Sequence, residues 1–85
     1  MNYLHLGKGT VVNTASIVGI FDLDITSQSH LTRNFLQAAE KKGIVENAAE
    51  DIPKSFLLYG RDEEEKVLLC QPATATLFRR WENGL

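Results

Sequence analysis

Residues 16–43, SIVGIFDLDITSQSHLTRNFLQAAEKKG, contain the change of pattern that decides the fold. In the first part apolar residues alternate along a β-strand, and in the second part they recur at helical spacing. Leu31, Phe35 and the pair Ala38–Ala39 share one helix face. The stretch therefore predicts a strand followed by the main helix of the domain.

The predicted strand, Ser16 to Asp24, is largely apolar on both of its faces. Ile17 and Phe21 belong to one alternating set, whereas Val18 belongs to the other. A strand of this kind is expected either in the centre of a sheet or against another subunit.

Both ends of the predicted helix carry typical signals. Residues 26–29, TSQS, are small and mostly hydroxyl-bearing, which favours an N-cap before His30. Lys41 and Lys42 suit the negative end of the helix dipole, and Gly43 is placed as the C′ residue.

Towards the N-terminus, Gly7-Lys8-Gly9 separates an apolar run, Tyr3 to Leu6, from the β-branched run Thr10 to Thr14. Glycine reaches positive φ without steric cost, so this arrangement predicts a hairpin. The glycine turn is too short for a phosphate-binding P-loop.

Towards the C-terminus, Glu46 to Asp51 is acidic and alanine-rich, and we expect a loop there. Two further strands and a short terminal helix follow, at Lys54–Tyr59, Val67–Cys70 and Pro72–Trp81. The sequence thus predicts one α+β domain over residues 1–85. It has a small, mostly antiparallel sheet in the order β-β-β-α-β-β, one main helix and a short C-terminal helical segment.

Composition limits the supports available to this fold. A chain of 85 residues builds a marginal core, and its one cysteine, Cys70, cannot form an internal disulfide. Self-association is the remaining support, so we expect a homo-oligomer. No signal peptide or membrane-spanning run is present, which makes the cytoplasm the expected compartment. The formal net charge of -2 requires any DNA-binding cations to be concentrated on one face or multiplied by assembly.

The sequence contains few residues that could act in catalysis. His5, His30 and Cys70 have no recognisable activating partner, and packing or surface roles are expected for them. Asp22 and Asp24 share one strand face and could hold a hard cation, although a solvated strand end is the simpler interpretation. We predict no enzyme, no cofactor and no metal site, with a small-molecule or metal-binding domain as the least favoured alternative.

Four stretches resemble, in the right order, the RemA/RemB family of extracellular-matrix (biofilm) regulators, and its RemB branch in particular. They are Tyr3–Gly7, Val11–Thr14 followed by Ile17–Asp22, Pro53–Ser55 with the apolar strand after it, and Thr76–Arg80. The resemblance covers almost the whole chain.

The resemblance implies a transcription regulator that assembles into a ring and binds DNA without a helix-turn-helix, through arginines repeated around the ring. Such repetition multiplies phosphate contacts. The DNA-binding candidates in this chain are Lys54, Lys8, Arg79 and Arg80. Each also has a simpler interpretation as a solvated surface residue, and for Lys54 this is an exposed lysine on an edge strand.

This chain departs from the RemA-type pattern at two places. Ser16 stands where RemA-type chains carry an arginine before the central strand, and Ile52-Pro53 stands in place of an arginine cluster. An alternative from another class is therefore a module that does not bind DNA and that co-assembles with, or modulates, an arginine-bearing RemA-type partner. Trp81, three residues after Phe78, is either an interface anchor or packed on its own domain.

Overall fold

The computed structural model describes residues 3–7, 9–23, 30–61 and 64–83, which form six strands, two α-helices and a 3-10 turn. In order these are β1 (Tyr3–Gly7), β2 (Thr10–Asn13), the turn (Thr14–Ser16), β3 (Ile17–Asp22), α1 (His30–Lys41), β4 (Val45–Asn47), β5 (Ser55–Tyr59), β6 (Lys66–Cys70) and α2 (Thr74–Glu82). The predicted α+β class, the main helix and the C-terminal helix are confirmed.

The strands form two sheets. β1 and β2 make a two-stranded antiparallel sheet, and the other four make a sheet in the order β3-β5-β6-β4. Within the larger sheet, β5 pairs antiparallel with both β3 and β6, whereas β4 pairs parallel with β6.

The β1–β2 hairpin lies where the glycine turn predicts it. Gly7 has a φ of 104° and Gly9 a φ of 75°, both in the region that favours glycine. Leu4 pairs with Val12, and both side chains are buried. The DNA-binding candidate Lys8 lies outside the described residues.

Helix α1 ends as predicted, in a Schellman motif. Gly43 has a φ of 73°, its N–H donates to the Glu40 carbonyl at 3.0 Å, and the Ile44 N–H donates to the Ala39 carbonyl at 3.1 Å. These bonds satisfy two carbonyl groups that the helix leaves without intrahelical partners. The predicted N-cap at residues 26–29 lies outside the described residues.

The prediction of a loop from Glu46 to Asp51 is wrong at its start, because Val45–Asn47 forms β4. This strand is three residues long, and its acidic and amide side chains carry no strand signal. It forms because the backbone continues from α1 into parallel pairing with β6, where Glu46 lies opposite Leu68.

Of the two alternatives for the apolar strand, a central position in the sheet is wrong, whereas burial against another subunit stays a prediction. β3 lies at the edge of the larger sheet, and Val18 remains 59% exposed. The two inner positions belong to β5 and β6, and the residues of β5 alternate between the two faces of the sheet. Lys54, just before β5, therefore does not belong to an edge strand as the simpler interpretation held.

The larger sheet is covered on both faces. On one face, Leu57 of β5 packs in a cluster with residues of the β1–β2 hairpin and with Leu77 of α2. On the other face, Phe56 packs with Ala39 of α1 and with Val67. Of the predicted apolar helix face only Ala39 is buried, since Leu31 is 82% exposed. Neither described helix has the length and apolar character needed to cross a membrane.

Candidate nucleic-acid interface

Lys54 has an exposed side chain on a well-held backbone. Its N–H donates to the Cys70 carbonyl at 2.9 Å, and its carbonyl accepts from the Leu23 N–H at 3.0 Å. The residue is thus fixed between the end of β3 and the end of β6. A cation on a backbone held in this way needs little ordering of the main chain when it meets a phosphate.

Arg79 and Arg80 lie in the last turns of α2, where the helix dipole favours positive charge. Arg79 is exposed, whereas Arg80 is half-buried and donates from Nη1 to the His5 carbonyl at 2.8 Å. This bond ties α2 to β1. An arginine has five N–H donors, so Arg80 keeps donors beyond the one that the fold uses.

The described candidates therefore lie at two places, Lys54 before β5 and the two arginines at the end of α2. Ser16, a position at which the resemblance to RemA-type chains led us to expect an arginine, donates from Oγ to the Asn13 carbonyl at 2.8 Å. Its hydroxyl closes the 3-10 turn between β2 and β3. At this position the chain has a structural residue where an arginine would supply positive charge.

The structure shows exposed apolar surface that the sequence patterns only partly indicated. An aromatic groove of about 220 Å³ lies between α1 and the sheet. Phe56 stacks there on Phe21, with ring centroids 4.9 Å apart, and on Phe35 at 6.5 Å. The groove is lined by Phe21, Leu31, Thr32, Phe35, Phe56 and Leu58. The apolar side chains of Leu31 and Phe35 were the sequence signal for it.

A second apolar patch lies on α2. Phe78 is 50% exposed and Trp81 is 36% exposed. The buried contact of this helix is made by Leu77, which lies in the main core cluster. The three-residue spacing of Phe78 and Trp81 thus corresponds to an outward-facing helix surface.

A polar groove between β2 and β4 was missed altogether, because β4 itself was missed. Its volume is about 380 Å³. Tyr59 donates from its hydroxyl to Oε1 of Glu46 at 2.7 Å. Burial, followed by the hydrogen bond to Glu46 and its charge, raises the pKa of Tyr59 to about 12. The groove is lined by Thr10, Val11, Val12, Asn13, Ser16, Glu46, Asn47, Ala48, Tyr59 and Leu68.

The structure defines the surroundings of Cys70, one of the residues considered for catalysis. Cys70 is fully buried, and burial raises the pKa of its thiol to about 11, while a hydrogen bond with Ser55 acts in the opposite direction. Asp24 lies outside the described residues. Within 3–7, 9–23, 30–61 and 64–83, no cluster of three or more potential metal ligands occurs.

No protein-family model matches this sequence, and a search of curated proteins finds no match either.

Proposed function

We propose that this chain regulates transcription of extracellular-matrix (biofilm) genes as a cytoplasmic homo-oligomer, in the form of a ring, that contacts DNA phosphates. Lys54 and Arg79 supply the main contacts, and Arg80 and Lys8 are further candidates. One observation supports the proposal. This small domain exposes two separate apolar surfaces, the aromatic groove and the α2 patch, together with the exposed cations Lys54 and Arg79.

The two apolar surfaces favour assembly. The aromatic groove lies on the α1 side of the sheet, whereas Phe78 and Trp81 lie on α2, which packs on the other side. Different patches on one subunit suit a head-to-tail contact, which closes into a ring when the rotation between subunits permits. The open edge of β3 offers a further pairing surface.

Assembly would supply what a single subunit lacks. One chain has a formal net charge of -2 and offers only a few phosphate contacts. Around a ring those contacts repeat, and each neutralised phosphate releases counterions. The binding expected from such contacts is phosphate-dominated and tolerant of sequence.

A second candidate function is the interaction module that does not bind DNA and that works through a RemA-type partner. The bond from Arg80 to the His5 carbonyl favours it, because part of the positive charge is committed to the fold. Ile52 favours it as well, since an apolar side chain 76% exposed replaces a cation of the RemA-type pattern.

Charge reversal tests the favoured function. Lys54→Glu and Arg79→Glu should each weaken binding to a labelled duplex, measured by fluorescence anisotropy at low salt. Arg61→Glu is the matched control, because Arg61 is exposed beyond the opposite end of β5 and the change in net charge is the same. An equal loss of DNA affinity in all three variants would indicate unspecific effects of charge. If the unmodified protein does not bind DNA, the favoured function is excluded and the interaction module is the remaining candidate.

A further inference from the structure

The polar groove has the wrong charge for a phosphate site. Among the described residues that line it, Glu46 is the one that carries a formal charge. Its volume of about 380 Å³ falls within the range of small-ligand sites in proteins. A groove whose charge is negative attracts a cation and repels an anion.

Glu46 is held in place for such a role. Tyr59 donates one hydrogen bond to Oε1, and a carboxylate can accept about four. Because Tyr59 keeps its proton at neutral pH, the phenol remains a donor and orients the carboxylate without neutralising it. Both carboxylate oxygens retain lone pairs for a further donor.

Two asparagines supply hydrogen-bond donors, whereas Glu46 supplies an acceptor. Oδ1 of Asn13 accepts from the Ala15 N–H at 2.9 Å, and Oδ1 of Asn47 accepts from the Ala49 N–H at 2.8 Å. The backbone donors fix which end of each amide is the carbonyl. Each side chain is left with its amide N–H donors to offer a ligand, and both residues line the groove.

Lys66 of the same chain does not form a salt bridge with the Glu46 carboxylate. Lys66 pairs with Tyr59, and Leu68 pairs with Glu46, so the lysine lies on the same face one diagonal step away. No salt bridge joins Lys66 to Glu46 in the described part of the chain. A planar guanidinium can bond both oxygens of a carboxylate at once, which an ammonium group cannot do equally well.

We propose that the polar groove binds the guanidinium group of an arginine. Glu46 is the acceptor, and Tyr59 is the residue that positions it. Asn13 and Asn47 bond the carbonyl or carboxylate of the same arginine, and the apolar wall formed by Val12 and Leu68 packs against its methylene groups. Glu46, Tyr59, Asn13 and Asn47 are not among the residues proposed to contact DNA. If the arginine belongs to a second copy, the inference rests on the homo-oligomer of the proposed function. The guanidinium comes either from free arginine or from an exposed arginine of a second copy of this chain.

The test is a titration of the full-length protein with L-arginine, followed by backbone amide NMR shifts and by sedimentation velocity. L-Citrulline, which has the same shape without the charge, and matched sodium chloride are the ligand controls. We expect saturation with a dissociation constant on the order of 1 mM and shifts around Glu46 and Asn47. Glu46→Gln should weaken binding by roughly tenfold or more, and Tyr59→Phe by less.

Two results support the proposal and separate the sources. Saturable arginine shifts with an unchanged sedimentation coefficient indicate a free ligand. An arginine from a second copy is indicated by two results together. Arginine, but not citrulline, dissociates the oligomer, and the Glu46→Gln substitution dissociates it to the same extent. The proposal is overturned if arginine and citrulline act alike on the unmodified protein, a comparison that needs no variant to fold. DNA binding by the unmodified protein, measured without arginine, reports separately on the proposed function.

Discussion

Cys70 is a single residue whose surroundings determine its reactivity. Its side chain is fully buried in the cluster that joins β5, β6 and α2, and the pKa of its thiol is raised to about 11. At pH 8 only about one thiol in a thousand is then the reactive thiolate. A role in packing agrees with this position better than a role as a nucleophile.

We therefore expect Cys70 to resist a thiol reagent such as DTNB in the folded protein at pH 8, and to react completely after unfolding in denaturant. Glutathione under the same conditions gives the reference rate, and Cys70→Ala gives the blank. Reaction of the folded protein at the rate of glutathione would show that the thiol is accessible and ionised.

Tyr59 predicts a pH dependence of stability. Its pKa is 10.0 in an unperturbed chain and about 12 in the fold, because of burial first and Glu46 second. The folded state therefore keeps a proton that the unfolded state loses between pH 10 and 12. The stabilisation is complete below pH 10 and disappears as the pH rises through 12.

Urea unfolding at pH values from 9 to 12 measures this effect. The free energy of unfolding should fall more steeply in the unmodified protein than in Tyr59→Phe, which has no phenol to ionise at this position. Tyr3→Phe is the control and should keep the steep fall, because Tyr59 is still present. Parallel curves for the unmodified protein and Tyr59→Phe would contradict the account of this residue.

Among the elements, the end of α1 depends on one glycine. Gly43 has a φ of 73°, a conformation that costs an L-residue with a Cβ about 1 kcal/mol. Gly43→Ala should lower the free energy of unfolding by about that amount in chemical denaturation. Lys42→Ala, the neighbouring exposed position, should change it by less than about 0.5 kcal/mol. Equal stabilities for the two variants would contradict the Schellman assignment.

The elements that sequence patterns predicted are those with local signals. Gly7 and Gly9 predicted the first hairpin, and Gly43 predicted the end of α1, since each position requires positive φ. The position of β3 could not be predicted in the same way. A strand that is apolar on both faces has the same pattern in the centre of a sheet as at an exposed edge, and only the pairing of distant strands distinguishes the two.

The candidate sites, too, divide into features that the local sequence predicts and features that depend on contacts between distant residues. That Lys54 and Arg79 are charged and exposed follows from residue type alone. The bond of Arg80 to His5 joins residues 75 positions apart, and the contact of Tyr59 with Glu46 depends on β4, which has no strand signal. Contacts of this kind come from tertiary structure, so the polar groove could not be predicted.

For the whole molecule, assembly through α2 is testable at one residue. Trp81 is 36% exposed, and Trp81→Ala removes one of the two aromatic side chains of the α2 patch. We expect the variant to lose self-association in sedimentation velocity while keeping its circular dichroism spectrum. Ile52→Ala, which removes another exposed apolar side chain, should leave the oligomer intact. An unchanged oligomer in Trp81→Ala would exclude α2 from the interface.

The salt dependence of DNA binding tests the central claim most directly, namely that many subunits share phosphate contacts. Fluorescence anisotropy of a labelled duplex several turns long, titrated at a series of salt concentrations, gives the slope of log K against log salt. Each neutralised phosphate contributes about -0.9 to that slope. A single subunit with Lys54, Lys8, Arg79 and Arg80 could reach about -4 at most. We predict a slope clearly steeper than this limit. Two results would contradict the account: no binding to DNA at low salt, or a slope that one subunit could produce.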